Sequence, residues 1–253
     1  MTVSIITVVY NGAETIRDCL DSVLGQTYPH IEYIVIDGGS TDGTVDIVRA
    51  YGAKIARFVS EPDQGIYDAM NKGINLATGD LIGLLNADDL YRHADVIAHV
   101  VDRLNQTGSD AVYSDMVYVD RLDTSRVLRY WRGGLYPANG FMWGWMPAHP
   151  TLFVRRTVYE QYGLFTTVLR SAADYELMLR MIHKHRIRLS YLSELTVSMR
   201  MGGVSNQSLK HRLRANREDA EAWRLNNLKP YFFTLWLKPL RKLGQFLQKP
   251  PPG

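Results

Sequence analysis

Leu81-Ile-Gly-Leu-Leu-Asn-Ala-Asp88-Asp89 is the stretch on which the fold turns. Apolar side chains occupy both faces up to Leu85, the pattern of a strand buried within a mostly parallel sheet, and charge begins only where the strand must emerge. That edge is where open α/β sheets bind ligands. Two adjacent carboxylates repel each other and are costly to desolvate, so they suit a cation, and hard oxygen donors suit Mg²⁺ or Mn²⁺. The alternative is a solvated Asp-Asp turn that caps the next helix.

Working outward, the upstream residues alternate between strand and helix. Val3 to Val9 is β-rich and ends in the turn Tyr10-Asn11-Gly12; Ile16, Leu20, Val23 and Leu24 then recur at helical spacing. Ile31 to Ile36 reads as a second strand ending in Asp37-Gly-Gly-Ser-Thr-Asp-Gly43. A helix over 44–51, a strand over 55–59 and a helix over 66–77 follow. This alternation implies an α/β fold with a parallel sheet and right-handed crossovers.

Downstream, Ala94, Ile97, Val101 and Leu104 predict a helix, and 111–119 a strand. Residues 120–147 lose regular patterning and gather aromatics and glycines, including Phe141-Met-Trp-Gly-Trp145, a composition that suits either a binding surface or a lid over a core. A strand over 151–154, a helix from Tyr159, a helix over 172–185 and strands over 188–192 and 196–201 complete the body.

The 253 residues, 46% of them hydrophobic, can bury a sizeable core. The single cysteine, Cys19, excludes an internal disulfide and reads as a core residue, in agreement with a reducing compartment. The chain opens directly on the Val3 strand, so a signal peptide is not expected, and no apolar run is long enough to span a bilayer. From Lys210 onward ten Lys or Arg face three acids, whereas the whole chain carries only +3, so the preceding body is acidic. The basic tail contains Tyr231-Phe-Phe-Thr-Leu-Trp-Leu237, too short to span and suited to an anionic membrane interface. Packing on its own body or on a second subunit is the alternative. No nucleic-acid recognition motif accompanies the basic residues, so no nucleic acid partner is expected.

Three predicted strand ends carry acids: Asp37, Asp63 and the Asp88-Asp89 pair. Individually each fits a turn, and Asp42 fits a turn better than a site, with Ser40 or Thr41 capping the next helix. Together they form a polar edge that packing does not require. Neither a P-loop lysine motif nor G-x-G-x-x-G follows the first strand, which removes the usual phosphate cradles.

Val3-Ser-Ile-Ile-Thr-Val-Val-Tyr-Asn-Gly12, Asp37-Gly-Gly-Ser-Thr-Asp-Gly-Thr44, Asp63-Gln-Gly-Ile-Tyr-Asp-Ala-Met-Asn-Lys-Gly-Ile74 and Leu84-Leu-Asn-Ala-Asp-Asp89 together resemble family 2 glycosyltransferases of the GT-A fold, over about residues 1–204. Among these the chain looks closest to bacterial enzymes of exopolysaccharide, colanic acid or O-antigen synthesis. The resemblance implies a nucleotide-diphosphate sugar donor, with UDP and GDP both open. Thr7, Val9 and Tyr10 would line a base pocket, Asp37 and Asp63 would contact base or ribose, and Asp88 would face ribose or diphosphate. Asp89 would ligate the Mg²⁺ or Mn²⁺. Asn86 stands where an Asp is commoner in the family motif.

Ser171-Ala-Ala-Asp174-Tyr-Glu matches the family's acidic acceptor motif, with Ala173 where Glu is frequent, and this makes Asp174 the candidate general base of an inverting transfer. Ser171 and Asp174 also fit a capping box. His149, in a stretch similar to one the family carries before its base, and Arg200, in a segment resembling a loop that closes over the diphosphate, are candidates for acceptor or secondary contacts. Arg155 and Arg156 suit either phosphate or an edge cap. The implied organisation is a transferase domain over 1–207, divided into a nucleotide-sugar half (1–90) and an acceptor half (91–207), and a basic helical tail over 208–253. A glycan or lipid-linked oligosaccharide acceptor would place the protein in the cytoplasm, peripheral on the inner membrane. The rival readings are a sugar nucleotidyltransferase and a non-catalytic nucleotide-sugar or glycan-binding subunit.

Overall fold

Strand β1 (Val3–Val9) is buried along its whole length, and β2 (Ile31–Asp37) and β4 (Leu81–Asn86) flank it in parallel register, with β3 (Arg57–Ser60) outside β2. Helices α1 (Ile16–Leu24), α2 (Thr44–Arg49) and α3 (Ile66–Leu76) make the crossovers. The computed structural model describes residues 1–202, 209–243 and 245. Alternation along β1 divides the core. Val3, Ile5 and Val9 pack with Ile16, Cys19, Leu20 and Val23 of α1, whereas Ile6 and Val8 pack with Ala69, Met70 and Ile74 of α3. Gly73 permits that second approach, because a Cβ there would run into the Ile6 side chain.

After β4 the chain makes a two-residue turn, Ala87-Asp88, and enters β5 (Asp89–Tyr91). The sheet order is β3-β2-β1-β4-β8-β6-β9-β5, with β7 on β6, so β5 lies at the end of a path that begins again beside β4. Only a sheet that curls back on itself lets a two-residue turn join those positions. The remaining elements are α4 (Val96–Thr107), β6 (Ala111–Val119), β7 (Val127–Trp131), β8 (Phe153–Arg155), α5 (Arg156–Tyr162), α6 (Ala173–Met178) and β9 (Leu189–Arg200). Strands β6 and β9 run parallel; β8 is antiparallel to β4 and β6, β7 to β6, and β5 to β9.

Two expectations change in detail. The predicted helix over 172–185 is α6 followed by a π-helical turn, Leu179–Lys184, and the strands predicted over 188–192 and 196–201 are the single strand β9, with register shifts against β6. Periodicity does not distinguish a register shift from a break, since both interrupt the apolar alternation.

The tail forms α7 (Leu209–Leu225) and α8 (Thr234–Leu243), and both dock on the body. Trp223 is 1% exposed and donates from Nε1 to Tyr175 Oη at 2.9 Å; Lys238 binds both oxygens of Asp219 at 2.7 Å and sits 3.8 Å from the centre of the Tyr175 ring. Thr234 donates to the Met142 carbonyl, and Gly144 approaches α8 so closely that a Cβ would meet the backbone of Leu237 and Lys238. On α8 and the residues before it, Phe232, Trp236 and Leu240 recur at helical spacing and are 92%, 74% and 56% exposed, so an outward apolar stripe coexists with the docked face. The expected helical positions Leu209 and Leu213 have side chains outside the described residues, as does the chain around the expected 207/208 boundary. Among the described residues no helix is long and apolar enough to cross a membrane.

Candidate active site

The loops after β1 and β2 are stitched together at the carboxyl edge of the sheet. Asn11, with φ of 49°, donates its N–H to Ser40 Oγ (2.7 Å) and accepts from Thr41 N–H at Oδ1 (2.9 Å). Asp42 accepts from Ala13 N–H and from both the N–H and hydroxyl of Thr44. The expected cap from Ser40 or Thr41 is absent. Gly43 occupies the position before α2 at φ of 94°, and Ser40 instead braces the neighbouring loop.

Asp37 is wholly buried at the end of β2. Its Oδ2 accepts from Gly39 N–H (3.1 Å), Ser40 N–H (3.0 Å) and the Ser60 hydroxyl (2.7 Å), while Oδ1 has no protein partner. The turn-closing reading accounts for Oδ2 and leaves Oδ1 unused. Asp63 closes its own turn through Gly65 N–H at 2.8 Å and packs over Gly38, where a Cβ would collide with Oδ2 and approach the Tyr10 ring. Tyr10, 66% exposed, thus completes a notch with Gly38 and Asp63.

Thr7 and Val9 do not present their side chains to that notch. They share the Val3 and Ile5 face of β1, and the Thr7 hydroxyl is wholly buried, bonded to Tyr33 Oη at 3.0 Å and to Cys19 Sγ at 3.6 Å. The physical reason is strand alternation, which turns every second residue toward α1.

The acidic pair separates into two environments. Asp88 is partly exposed in the turn, and burial raises its carboxyl above the ordinary range against the pull of Arg121 and Arg200. Asp89 is wholly buried on β5, opposite Met199 of β9; burial, then the charge of Asp88, pushes its carboxyl well above the carboxylate range, against the hydrogen bond from Asn86. Asn86 Nδ2 donates to Asp89 Oδ2 at 3.2 Å, but Asp89 Oδ1 and Asn86 Oδ1 are both buried without a protein partner. A buried carboxylate costs several kcal/mol. The Asn86 amide and the charge and backbone N–H of Arg200 oppose this, yet the carboxyl stays well above the ordinary range, so the protein alone compensates the charge only in part. Two orphaned hard oxygens on adjoining residues fit a divalent cation of the Mg²⁺ or Mn²⁺ type.

Arg200 is the last residue of β9 and not part of a loop. Its side chain is 4% exposed and donates to the Asp88 and Arg121 carbonyls, each at 3.2 Å, and to the Asp18 carboxylate. It braces the turn that carries Asp88. Residues 203–205 of the stretch expected to close over a diphosphate lie outside the described residues.

Across the cleft, Asp174 lies in the first turn of α6, partly exposed. Ser171 and Asp174 do not form the expected capping box. Ala172 occupies the N-cap position, and Glu218 of α7 accepts from the N–H groups of Ser171 (2.6 Å) and Ala172 (3.1 Å). A carboxylate from the tail thus does the capping and leaves Asp174 available to the cleft. The Tyr67 hydroxyl reaches Asp174 Oδ1 at 3.3 Å, and the Tyr67 ring stacks on Phe165 at 5.5 Å. His149 packs edge-on against the same Phe165 at 5.7 Å; burial lowers its imidazole pKa and nearby Asp174 raises it. Tyr118 feels both Asp89 and Asp174, whose charges each raise its hydroxyl.

Tyr67, Tyr118 and Glu218 are the site's residues that sequence reasoning missed. Tyr67 stood within the quoted Asp63–Ile74 motif; the other two carried no local signal. Arg155 and Arg156 bond to the Ser109 and Gly79 carbonyls, and Arg155 is paired with Leu81, at the end of β4 remote from Asp89. Phe141 and Trp145 are core residues, at 0% and 6% exposure.

A curled α/β sheet with orphaned carboxylate oxygens at its carboxyl edge and a second carboxylate across the cleft defines a nucleotide-dependent transferase class. The family model described as glycosyl transferase family 2 matches residues 4–175, and the chain belongs to that family. It is 32% identical over 207 residues to a PGL/p-HBAD biosynthesis glycosyltransferase of Mycobacterium bovis BCG, covering 80% of this chain and 78% of that one. It is 33% identical over 192 residues to an uncharacterised glycosyltransferase of Rickettsia typhi, covering 71% and 58%. Among solved structures, S. aureus TarS 1–349 in complex with UDP superposes with a TM-score of 0.69 at 20% identity, covering 96% of this chain and 72% of that one. The Pyrobaculum calidifontis mannosyltransferase PcManGT, in complex with GDP-Man and Mn²⁺, gives 0.65 at 20%, covering 94% and 72%. The chain spans 43% of the longer TarS chain. These likenesses establish the GT-A fold.

Proposed function

We propose that this glycosyltransferase moves a sugar from a UDP- or GDP-sugar to a hydroxyl of a lipid-linked glycan, with inversion at the anomeric carbon, in the synthesis of a bacterial surface polysaccharide or glycolipid. The observation that carries the reading is the buried, unpartnered Oδ1 of Asp89, with Asn86, whose Oδ1 is likewise unpartnered, hydrogen-bonded to the same carboxylate. Asp89, with Asp88 beside it, would hold Mg²⁺ or Mn²⁺. When bound there, such an ion supplies positive charge that compensates the two phosphates of the departing nucleoside diphosphate. The notch of Tyr10, Gly38 and Asp63, with Asp37 Oδ1 at its base, receives base and ribose. Asp174 accepts the proton of the attacking hydroxyl from the face opposite the leaving group, held at Oδ1 by Tyr67. His149 lines the acceptor side, and Arg200 keeps the Asp88 turn in place.

The relatives support the same classes: PGL/p-HBAD biosynthesis for the mycobacterial glycosyltransferase, a complex with UDP-GlcNAc for TarS, and one with GDP-Man and Mn²⁺ for PcManGT. The transferase domain spans 1–207, with a nucleotide half to residue 90, and the tail from 208 meets the cytoplasmic face of the inner membrane through Phe232, Trp236 and Leu240. Transfer assays on Asp89→Ala and Asp174→Asn test the assignment. Each substitution is expected to lower kcat by about 10²–10⁴-fold; near-wild-type transfer would remove that residue from its role. Release of pyrophosphate from a sugar phosphate and a nucleotide would replace the reading with nucleotidyl transfer. Donor binding without turnover on any acceptor would replace it with a binding subunit.

A further inference from the structure

At the far end of the β5–β9 ladder from Asp89, three metal-ligating side chains converge from three segments. His93 lies just after β5, His99 lies on α4, and Glu194 lies in β9. His93 Nε2 is 2.6 Å from Glu194 Oε1, and His99 Nδ1 is 2.9 Å from both Glu194 oxygens. One ligand atom from each residue lies within 4.8 Å of the other two, and the imidazole centres are 5.8 Å apart.

We propose that His93, His99 and Glu194 form a binding site for a transition-metal dication of the Zn²⁺ class, separate from the donor-site cation. Two imidazole nitrogens are borderline donors that, beside one carboxylate, select Zn²⁺, Co²⁺ or Ni²⁺ over Mg²⁺, whereas Asp89 and Asn86 offer only hard oxygens. Tetrahedral zinc with bonds of about 2.0–2.1 Å needs its ligand atoms about 3.3 Å apart. The two contacts to Glu194, 2.6 and 2.9 Å, are shorter than that, and all three ligand atoms lie within 4.8 Å of one another, so ligation asks the side chains to open slightly around the ion. His93 gives up one long bond in doing so, the 3.3 Å donation from Asp95 N–H to its Nδ1, because Nε2 must be bare to ligate. The surroundings favour a cation: Asp95 and Asp102 both act on His99, and Asp95 is held nearby by Thr27. His99 and Glu194 also line an open groove of about 630 Å³ with Asp102, Arg103, Gln106 and Tyr191, which gives ion and water access and sets one cation, Arg103, against the nearby acids.

The site joins the β5 exit, α4 and β9. Arg92 N–H already bonds to the Thr196 carbonyl here, and three residues before it, at the start of β5, stands Asp89. An ion at this point clamps the same two-strand ladder that carries the donor-site carboxylate.

Tag-free full-length protein, stripped with EDTA, is titrated with Co²⁺ and followed by its visible ligand-field absorbance. The expected result is one equivalent bound, displaced by Zn²⁺ and resistant to excess Mg²⁺, with Zn²⁺ raising Tm. Glu194→Gln keeps a hydrogen-bonding oxygen for the histidines and is expected to weaken Co²⁺ binding at least about tenfold, as is His99→Ala, while Asp89→Ala leaves the band intact. Absence of a stoichiometric band in the wild type overturns the proposal. So does a band that survives in folded Glu194→Gln or His99→Ala, or one that disappears in Asp89→Ala.

Discussion

The Tyr67 hydroxyl donates to Oδ1 of Asp174 at 3.3 Å, a bond between residues 107 apart that ties α3 of the nucleotide half to the first turn of α6. Removing it alone, with Tyr67→Phe, keeps the stack on Phe165 and deletes one long hydrogen bond to a carboxylate, worth about 1.5 kcal/mol, the low end for a charged acceptor. Steady-state kinetics should show kcat lower by about two- to tenfold, with donor KM unchanged and Tm close to wild type. An unchanged kcat would show that Tyr67 does not hold the carboxylate for reaction.

Glu218 caps α6 from α7 through the N–H groups of Ser171 and Ala172. Glu218→Ala should cost about 1 kcal/mol in denaturant unfolding, the size of a lost helix cap. It should also lower kcat more than donor KM, because the turn carrying Asp174 loses its anchor. A stability loss with intact kcat would limit Glu218 to a structural role.

His149 supplies a pH dependence with a definite sign. Burial lowers its imidazole pKa below the ordinary value of about 6.5, so the unfolded chain takes up this proton more readily than the folded one. The contribution is fully present above about pH 6.5 and is lost as pH falls from there through the lowered folded value. Denaturant midpoints measured from pH 7.5 downward should therefore fall more steeply for wild type than for His149→Gln. The difference between the two isolates His149 from His183 and His185, which are lowered in the same direction.

The outward stripe on the tail predicts vesicle binding without an effect on folding. Phe232→Ser with Trp236→Ser should reduce co-sedimentation with anionic vesicles by about tenfold or more. Transfer to a water-soluble acceptor should be retained, since both side chains point away from the docked face. Undiminished vesicle binding would assign the stripe to another partner.

Much of the nucleotide half was legible because its information is local. The short β-rich runs in 3–9, 31–36 and 81–85, each closed by turn residues, read as buried strands, and those turns mark the edge that carries Asp37, Asp63 and Asp88-Asp89. The second half was less readable. Strand β9 shifts register against β6, so one strand looked like two, and α6 passes into a π turn that helical periodicity cannot distinguish from a continuing helix. Ser171 and Asp174 stand at capping-box spacing, yet Glu218 from forty-odd residues downstream takes the Ser171 N–H that Asp174 would have used, together with that of Ala172.

By itself the sequence determined the alternation of strands and helices, the acids at the sheet edge and the family motifs, since each depends on side chains a few residues apart. Only the tertiary structure decided which oxygens remain open. Curling of the sheet returns β5 to the side of β4, which buries Asp89 and leaves its Oδ1 unpartnered while Asp88 stays in the turn. Strand alternation turns Thr7 into the core, and Arg200 is taken up by Asp18 and two carbonyls. Burial and hydrogen-bond satisfaction depend on every neighbour in space, and for these residues the decisive neighbours lie far along the chain.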